Sequence, residues 1–409
     1  MDILECRICK NKDLRKFLSL GGQPLANSFL TENELRTGEN KFPLEICFCS
    51  NCSLVQLTHV VSPELLFKNY VYVSSTTNTF RTHFFGLSET LTKMLGLAKN
   101  SLAIDIGSND GILLKGFQKF GVRTVGVEPA TNVAMIANQD GVETINDFFN
   151  QRVVSKIIEE KGQADVVTAT NVFAHVNDIH DLVKNVKALI KEDGIFVIEV
   201  PYLIDMLEKM TFDTIYHEHL SYFTVTPLMH FFQKLDMEIF KIEKVDTHGG
   251  SLRLFVKNKS TKFASDGSVG RFLNNESKIG IHNFKLYEDF AKRVFDVKAK
   301  LVSFLQKIKQ AGNSIAAYGA PAKGNTLLNF CGIGKNYIDY IVDDNPLKQN
   351  LFAPGTHIPI VNSSMLDKQT PNYILILAWN FAKEIMENNK KYREAGVKFI
   401  IPLPEPTIV

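Results

Sequence analysis

Beyond residue 52 the 409-residue chain holds a single cysteine, Cys331. The other five, Cys6, Cys9, Cys47, Cys49 and Cys52, crowd into the amino-terminal segment. A disulfide framework would be spread over a chain of this length, so the cluster points instead to metal or redox chemistry in a reducing compartment. Net charge is equally scarce: 46 Lys and Arg against 44 Asp and Glu leave +2. That excludes the electrostatic footprint of a nucleic-acid or membrane-surface binder. Long apolar runs are missing too. No segment reaches the ~18 apolar residues of a spanning helix, and the start, MDILECRICK, has no apolar signal stretch. The expectation is a cytoplasmic protein, monomeric or a small homo-oligomer, with neither nucleic acid nor membrane as partner.

What is present is enough apolar residue, 45%, to fill real cores, over a length that implies two or three domains. Residues 1–78 read as a turn-rich module with GGQPLANSF between two cysteine pairs. Over 79–260, SLAIDIGSND, RTVGVEPA, ADVVTATNVF and GIFVIEVPY read as buried parallel strands separated by helical stretches. MEIFKIEKV and SLRLFVKN then read as two closing strands. That pattern predicts a doubly wound, Rossmann-like α/β domain. Residues 261–409 open with a long stripe, Leu286, Phe290, Val294, Val297, Leu301, Phe304, Leu305 and Ile308, at helical spacing. A second α/β unit follows from NSIAAYGAPAKGN. The fold class is therefore α/β, with an amino-terminal metal module and a carboxyl-terminal Rossmann-like domain.

Cys6-x-x-Cys9 and Cys49-x-x-Cys52 each supply two thiolates from one tight turn, which suits a tetrahedral, structural Zn2+. Cys47 is spare. Asp105-Ile-Gly107-Ser-Asn109-Asp110-Gly111 joins a strand to a helix through a glycine turn. The dinucleotide fingerprint fails at Asn109, and two acids flank the turn instead. A cationic cofactor, S-adenosyl-L-methionine, fits such a turn better than a pyrophosphate does. Glu128, at the end of the next strand, is placed to accept ribose hydroxyls. Asp147 and Phe148 end the third strand, where they would border adenine, and Asn171 ends the fourth. A plain strand-to-helix turn is the competing reading.

IYHEHLSYF, residues 215–223, concentrates proton-handling groups just past the strand GIFVIEVPY. Ser221 stands where HExxH needs its second histidine, so a zinc-peptidase helix is excluded. A location beyond the carboxyl ends of the sheet favours a proton-transfer role for at least one member, whereas His217 reads as a packing residue. Finally, Tyr318-Gly-Ala-Pro-Ala-Lys323-Gly324-Asn325 places an ammonium at a helix start, a pattern suited to a diphosphate or to a simple turn. Asp343, Asp344, Trp379 and Asn380 end neighbouring strands and either finish that pocket or cap the core.

In this order the pieces resemble the sugar C-methyltransferases of deoxysugar biosynthesis, over nearly the whole chain. The most specific parts are Tyr216-His-Glu218-His219 and the Tyr318–Gly324 loop. The resemblance implies that His219 is the base, assisted by Glu218 and Tyr216. It further implies a histidine after the fourth strand, His175, and a tyrosine from the end of the zinc module, Tyr70 or Tyr72. Lys323, Gly324, Asn325 and Asp343 would hold a nucleotide-diphosphate-linked 4-keto deoxysugar. The reaction expected is abstraction of the proton beside the ketone and attack of the enolate on the methyl group. Two other readings stand beside it: an RNA methyltransferase with a zinc module, and a non-catalytic protein that binds nucleotide sugar or serves as a zinc scaffold.

Overall fold

The computed structural model describes residues 2–67, 73–76, 78–247, 249–261 and 263–409. Tyr70 and Tyr72 lie outside the described residues.

The amino-terminal strands β1 (Leu14–Gln23), β2 (Phe42–Cys49) and β3 (Val55–Leu57) pair antiparallel. Two similar knuckles flank them. Lys10 N–H bonds the Cys6 carbonyl at 3.0 Å, and Ser53 N–H bonds the Cys49 carbonyl at 2.9 Å. Each knuckle ends in a residue of positive φ, Lys10 at +60° and Ser53 at +65°. The Sγ atoms of Cys6, Cys9, Cys49 and Cys52 all lie within 4.8 Å of one another. A tetrahedron with ~2.3 Å zinc–sulfur bonds has edges of about 3.8 Å, so the four thiols fit structural zinc. Cys47 is outside that cluster; it is buried, and burial pushes its thiol up to about 12.

The central sheet carries β4 (Leu102–Ile106), β5 (Arg123–Val127), β6 (Thr144–Ile145), β7 (Ala164–Thr170) and β8 (Ile190–Pro201), all parallel. Every residue of β4 is buried, as a strand covered on both faces by helices requires. β9 (Ser221–Tyr222) does not join this sheet. The chain returns to it as the antiparallel hairpin β10 (Met237–Val245) and β11 (Ser251–Asn258), giving the order β10-β11-β8-β7-β4-β5-β6. The order reverses beside β4, which opens a crevice beyond the strands' carboxyl ends.

The 27-residue helix Phe284–Gln310 follows. Its predicted stripe is a core face, with Phe290, Val294, Val297, Leu301, Leu305 and Ile308 buried. Near its start Tyr287 packs against Phe17 and Phe48 of the amino-terminal sheet, with ring centroids 5.2 and 4.8 Å away. The last sheet holds β12 (Ile315–Tyr318), β13 (Ile341–Val342), β14 (Ile360–Val361), β15 (Tyr373–Ile376), β16 (Lys398–Ile401) and β17 (Thr407–Ile408). Its order is β14-β13-β12-β15-β16-β17, parallel except for β17. No helix of the described residues is long and apolar enough to cross a membrane.

The unpredicted feature is β9. It adds to β3 as the fourth strand of the amino-terminal sheet, with Tyr222 opposite Val55 and Ser221 opposite Gln56. Arg7, between the first two cysteines, is buried beside this seam. It donates from Nη1 to the carbonyls of Leu220 (2.9 Å) and Leu57 (3.4 Å), and from Nε to Asn177 Oδ1 (3.3 Å).

Elemental analysis should therefore find about one zinc per chain. Cys49→Ser should lose that metal and lower the melting temperature, because the knuckles anchor a sheet that the next domain completes. A metal-free wild type of unchanged stability would contradict this.

Candidate active site

A cavity of about 970 Å³ opens between the central and carboxyl-terminal sheets, with the amino-terminal module contributing one wall. Its cofactor end forms where β4 turns into the helix Ile112–Gln118. Gly107 has φ +65°, and a Cβ there would stand 2.4 Å from Val172 Cγ2, so only glycine passes. Asn109 adopts φ +51°, a conformation asparagine tolerates, which explains how the turn forms without the missing glycine.

Glu128, buried at the end of β5, accepts Asn109 N–H (2.9 Å) and Ala130 N–H (2.8 Å). Each oxygen keeps a lone pair for a further donor. Burial raises its carboxyl above the usual range. Asp105 accepts the Thr168 hydroxyl at 2.6 Å, and burial pushes it up to about 7. Asp105, Gly107, Asn109, Glu128, Phe148 and Asn171 all line the cavity. This turn, with an acceptor carboxylate and an aromatic side chain beside it, fits S-adenosylmethionine.

Three expected cofactor residues stand back from the cavity wall. Asp110 accepts Ser75 N–H at 3.3 Å, tying the segment after the zinc module to the glycine turn. Gly111, at φ +75°, caps the following helix against Val142. Asp147 turns to Arg152 and to Phe148 N–H.

The middle of the cavity carries Tyr216, His219 and His175. His219 Nδ1 lies 2.9 Å from the Thr214 carbonyl oxygen. A carbonyl only accepts, so Nδ1 bears the proton and Nε2 is left as the acceptor. The Tyr216 hydroxyl donates to Nε2 at 2.7 Å. Burial lowers the imidazole to about 4, so it is neutral at pH 7. Rings pack in series here: Phe67 stacks on His175 at 5.8 Å, while His175 and His219 at 5.0 Å and His219 and Tyr216 at 4.0 Å meet tilted.

Glu218 does not hold the His219 ring as expected, since Thr214 and Tyr216 occupy both ring nitrogens. It is buried off the cavity wall and accepts Asn27 Nδ2 at 2.6 Å, and Asn27 in turn lines the cavity. His217 packs edge-on against Phe42 and bonds its carbonyl at 3.3 Å, a structural residue as read.

At the far end, Lys323 and Asp343 line the wall with Tyr318, Lys348 and Asn380. Gly319, φ +85°, admits no Cβ, which would stand 2.7 Å from Ala378 Cβ. Lys323 Nζ sits 3.8 Å above the Trp379 ring and bonds Asn380 Oδ1. Asp343 clamps its own loop, accepting Ala320 N–H (2.6 Å) and Asn345 N–H (2.9 Å), with Lys348 3.7 Å away. Gly324 and Asn325 are not on the wall. Gly324 packs on Leu377, and Asn325 donates to the Ala26 carbonyl at 2.8 Å, joining the first and last modules. Sequence reasoning missed Asn27, Thr214 and Lys348: the first and last are lone residues in loops, and Thr214 acts through its backbone.

The matches to known families follow the same three parts. Residues 6–67 match a zinc binding domain family, 81–242 a methyltransferase domain family, and 246–404 the C-methyltransferase C-terminal domain. C-methyltransferase NovU of Streptomyces niveus is 38% identical over 405 residues, which is 99% of this chain and 96% of that one. A ubiquinone biosynthesis O-methyltransferase of Rhodopseudomonas palustris is 31% identical over 108 residues, 26% of this chain and 42% of the relative. Among solved structures, an S-adenosylmethionine-dependent methyltransferase from Anabaena variabilis is similar at 14% identity, covering 44% of this chain and 85% of that one, with a TM-score of 0.35. Alignment with NovU from end to end, over three matched domains in the same order, shows that this chain belongs to the sugar C-methyltransferase family, as an S-adenosylmethionine-dependent enzyme with a zinc-binding module.

Proposed function

We propose that the enzyme methylates a carbon beside the ketone of a nucleotide-diphosphate-linked 4-keto deoxysugar. The observation that carries this reading is the neutral Tyr216–His219–Thr214 chain, lining one cavity together with the cofactor turn and Lys323. Carbon methylation needs a carbon nucleophile, and a proton beside a ketone is only weakly acidic. A neutral imidazole held by a hydrogen bond at its far nitrogen suits its removal.

The C–H bond breaks, its electrons become the enolate, and the proton ends on His219 Nε2. Nδ1–H remains bonded to Thr214, which steadies the imidazolium that results. The Tyr216 hydroxyl, leaving Nε2, is placed to donate to the enolate oxygen as charge develops there. S-adenosylmethionine, when bound, supplies the electrophilic methyl group and departs as S-adenosylhomocysteine. Glu128 would hold its ribose, Asp105 and Asn109 would frame it, and Phe148 would border its adenine. Lys323 meets the diphosphate. Glu218 acts through Asn27 on the cavity wall, and Tyr70 or Tyr72 supplies a further hydroxyl. Family membership removes the binding-only reading. A location in the cytoplasm and a monomeric or small homo-oligomeric state belong to this proposal as well.

Mass spectrometry of products from a panel of 4-keto nucleotide sugars tests the substrate class; a methylated sugar carbon is the expected result. In deuterated water with S-adenosylhomocysteine bound, wild type should exchange the substrate's α-proton, and His219→Asn should lose about 10²–10⁴-fold of that rate with both ligands still bound. Wild-type exchange in that variant would remove His219 as the base. Tyr216→Phe should slow turnover more than exchange; an equal loss in both would make the phenol the proton relay. Calorimetry should find that Glu128→Ala weakens S-adenosylhomocysteine by about 1 kcal/mol or more. Unchanged affinity would exclude the ribose contact.

A further inference from the structure

The chain's one tryptophan, Trp379, sits where the last domain meets the methyltransferase domain. Its Nε1–H donates to Asp213 Oδ2 at 2.6 Å. Asp213 is fully buried in the short turn Phe212–Thr214, and among the described residues its other oxygen, Oδ1, has no hydrogen-bond partner within the geometric limits. Gly249 lies against the indole, where an added Cβ would stand 2.8 Å from its Cη2. On the ring's face lies Lys323 Nζ, 3.8 Å from the centroid.

A carboxylate that accepts the indole N–H adds negative charge at the edge of the ring and strengthens the attraction of its face for the ammonium. Burial pushes Asp213 up to about 6 and Lys323 down to about 8, while their mutual attraction opposes both shifts. That attraction favours the charged pair. The next residue, Thr214, carries the carbonyl that fixes His219.

We propose that Asp213 is a positioning residue: through the Trp379 indole it seats the Lys323 ammonium at the anion end of the cavity, from the same turn that orients the base. The inference rests on the reading of Lys323 as the diphosphate contact. A buried carboxylate serving only the fold would carry no such link to ligand affinity.

The test is calorimetry with thymidine diphosphate on the zinc-loaded full chain, as wild type, Lys323→Ala, Asp213→Asn and the double variant. Asparagine keeps an acceptor for the indole and removes the charge. Asp213→Asn should weaken binding about 3- to 30-fold, the range of a cation–π contact. In the double variant it should add almost nothing to Lys323→Ala, because both changes remove the same seat. Affinity for S-adenosylhomocysteine should not move. Trp379→Phe, as a second variant, should weaken thymidine diphosphate similarly. Wild-type affinity in Asp213→Asn while Lys323→Ala is impaired would overturn this inference alone, as would full additivity. Wild-type affinity in Lys323→Ala would overturn the diphosphate assignment and this inference with it. Emission from Trp379 gives an independent readout: pyrophosphate should change it in wild type and fail to do so in Lys323→Ala, and an equal change in both would count against the seat.

Discussion

The pairing of Ser221–Tyr222 with Val55–Gln56 is the constraint on which the rest of the site depends. It makes the segment directly after His219 a strand of the zinc-bound sheet. The loop that carries Tyr216 and His219 is thereby fixed at its far end to a different module. Arg7 reinforces the seam from inside the first cysteine knuckle, with its guanidinium on the carbonyls of Leu57 and Leu220. The Leu220 N–H, in turn, bonds the Ala174 carbonyl at 2.8 Å, which brings His175 beside His219. Zinc therefore has a task in the active site without standing in it: the four cysteines are not on the cavity wall. Holding reactive groups within fractions of an ångström is a large part of catalysis, and a strand on a metal-anchored sheet does this better than a free loop.

Burial settles the chemistry of the base. In an apolar setting a charged imidazole is costly, so His219 stays neutral and its basic lone pair is on Nε2, where it accepts the Tyr216 hydroxyl. The same exclusion of water makes the Tyr216 hydroxyl a stronger donor toward developing charge. By contrast, burial works against Lys323, and the charge of Asp213, bonded to the indole under that ammonium, offsets it. The two groups thus meet the low dielectric in different ways. One is a base kept uncharged and the other a cation whose charge is supported.

Much of this was legible in the sequence. Mostly apolar strands such as LAIDI, with Asp105 as its one acid, read as central in a covered sheet, and this strand ends in a turn whose glycine, Gly107, is structurally forced. The CxxC pairs carried their own geometry. The YHEH run was readable because it follows β8, whose carboxyl end faces the crevice. What was not legible depends on contacts distant in sequence. Asn27 reaches Glu218 across 191 positions, and nothing in GGQPLANSF marks it. Two residues, Ser221 and Tyr222, carry too little pattern to reveal a strand. Thr214 works through its carbonyl, which every residue has. Gly324 and Asn325 were read as ligand contacts because they follow Lys323, but packing against Leu377 and Ala26 sets them.

The central claim is that the active site presents a neutral His219, protonated at Nδ1 with Nε2 as the acceptor of the Tyr216 hydroxyl. Its most direct test is nitrogen NMR of the ring in protein labelled with ¹⁵N-histidine, with His219→Asn used to assign the signals, followed from pH 8 to pH 5. The expected result is a ring that keeps the shifts of the Nδ1–H tautomer throughout, with charging beginning only near pH 4. Because the unfolded histidine titrates near 6.5, this group should also cost folding stability progressively as pH falls from about 6.5 towards 4. An Nε2–H tautomer, or an imidazolium already formed at pH 6.5, would contradict it.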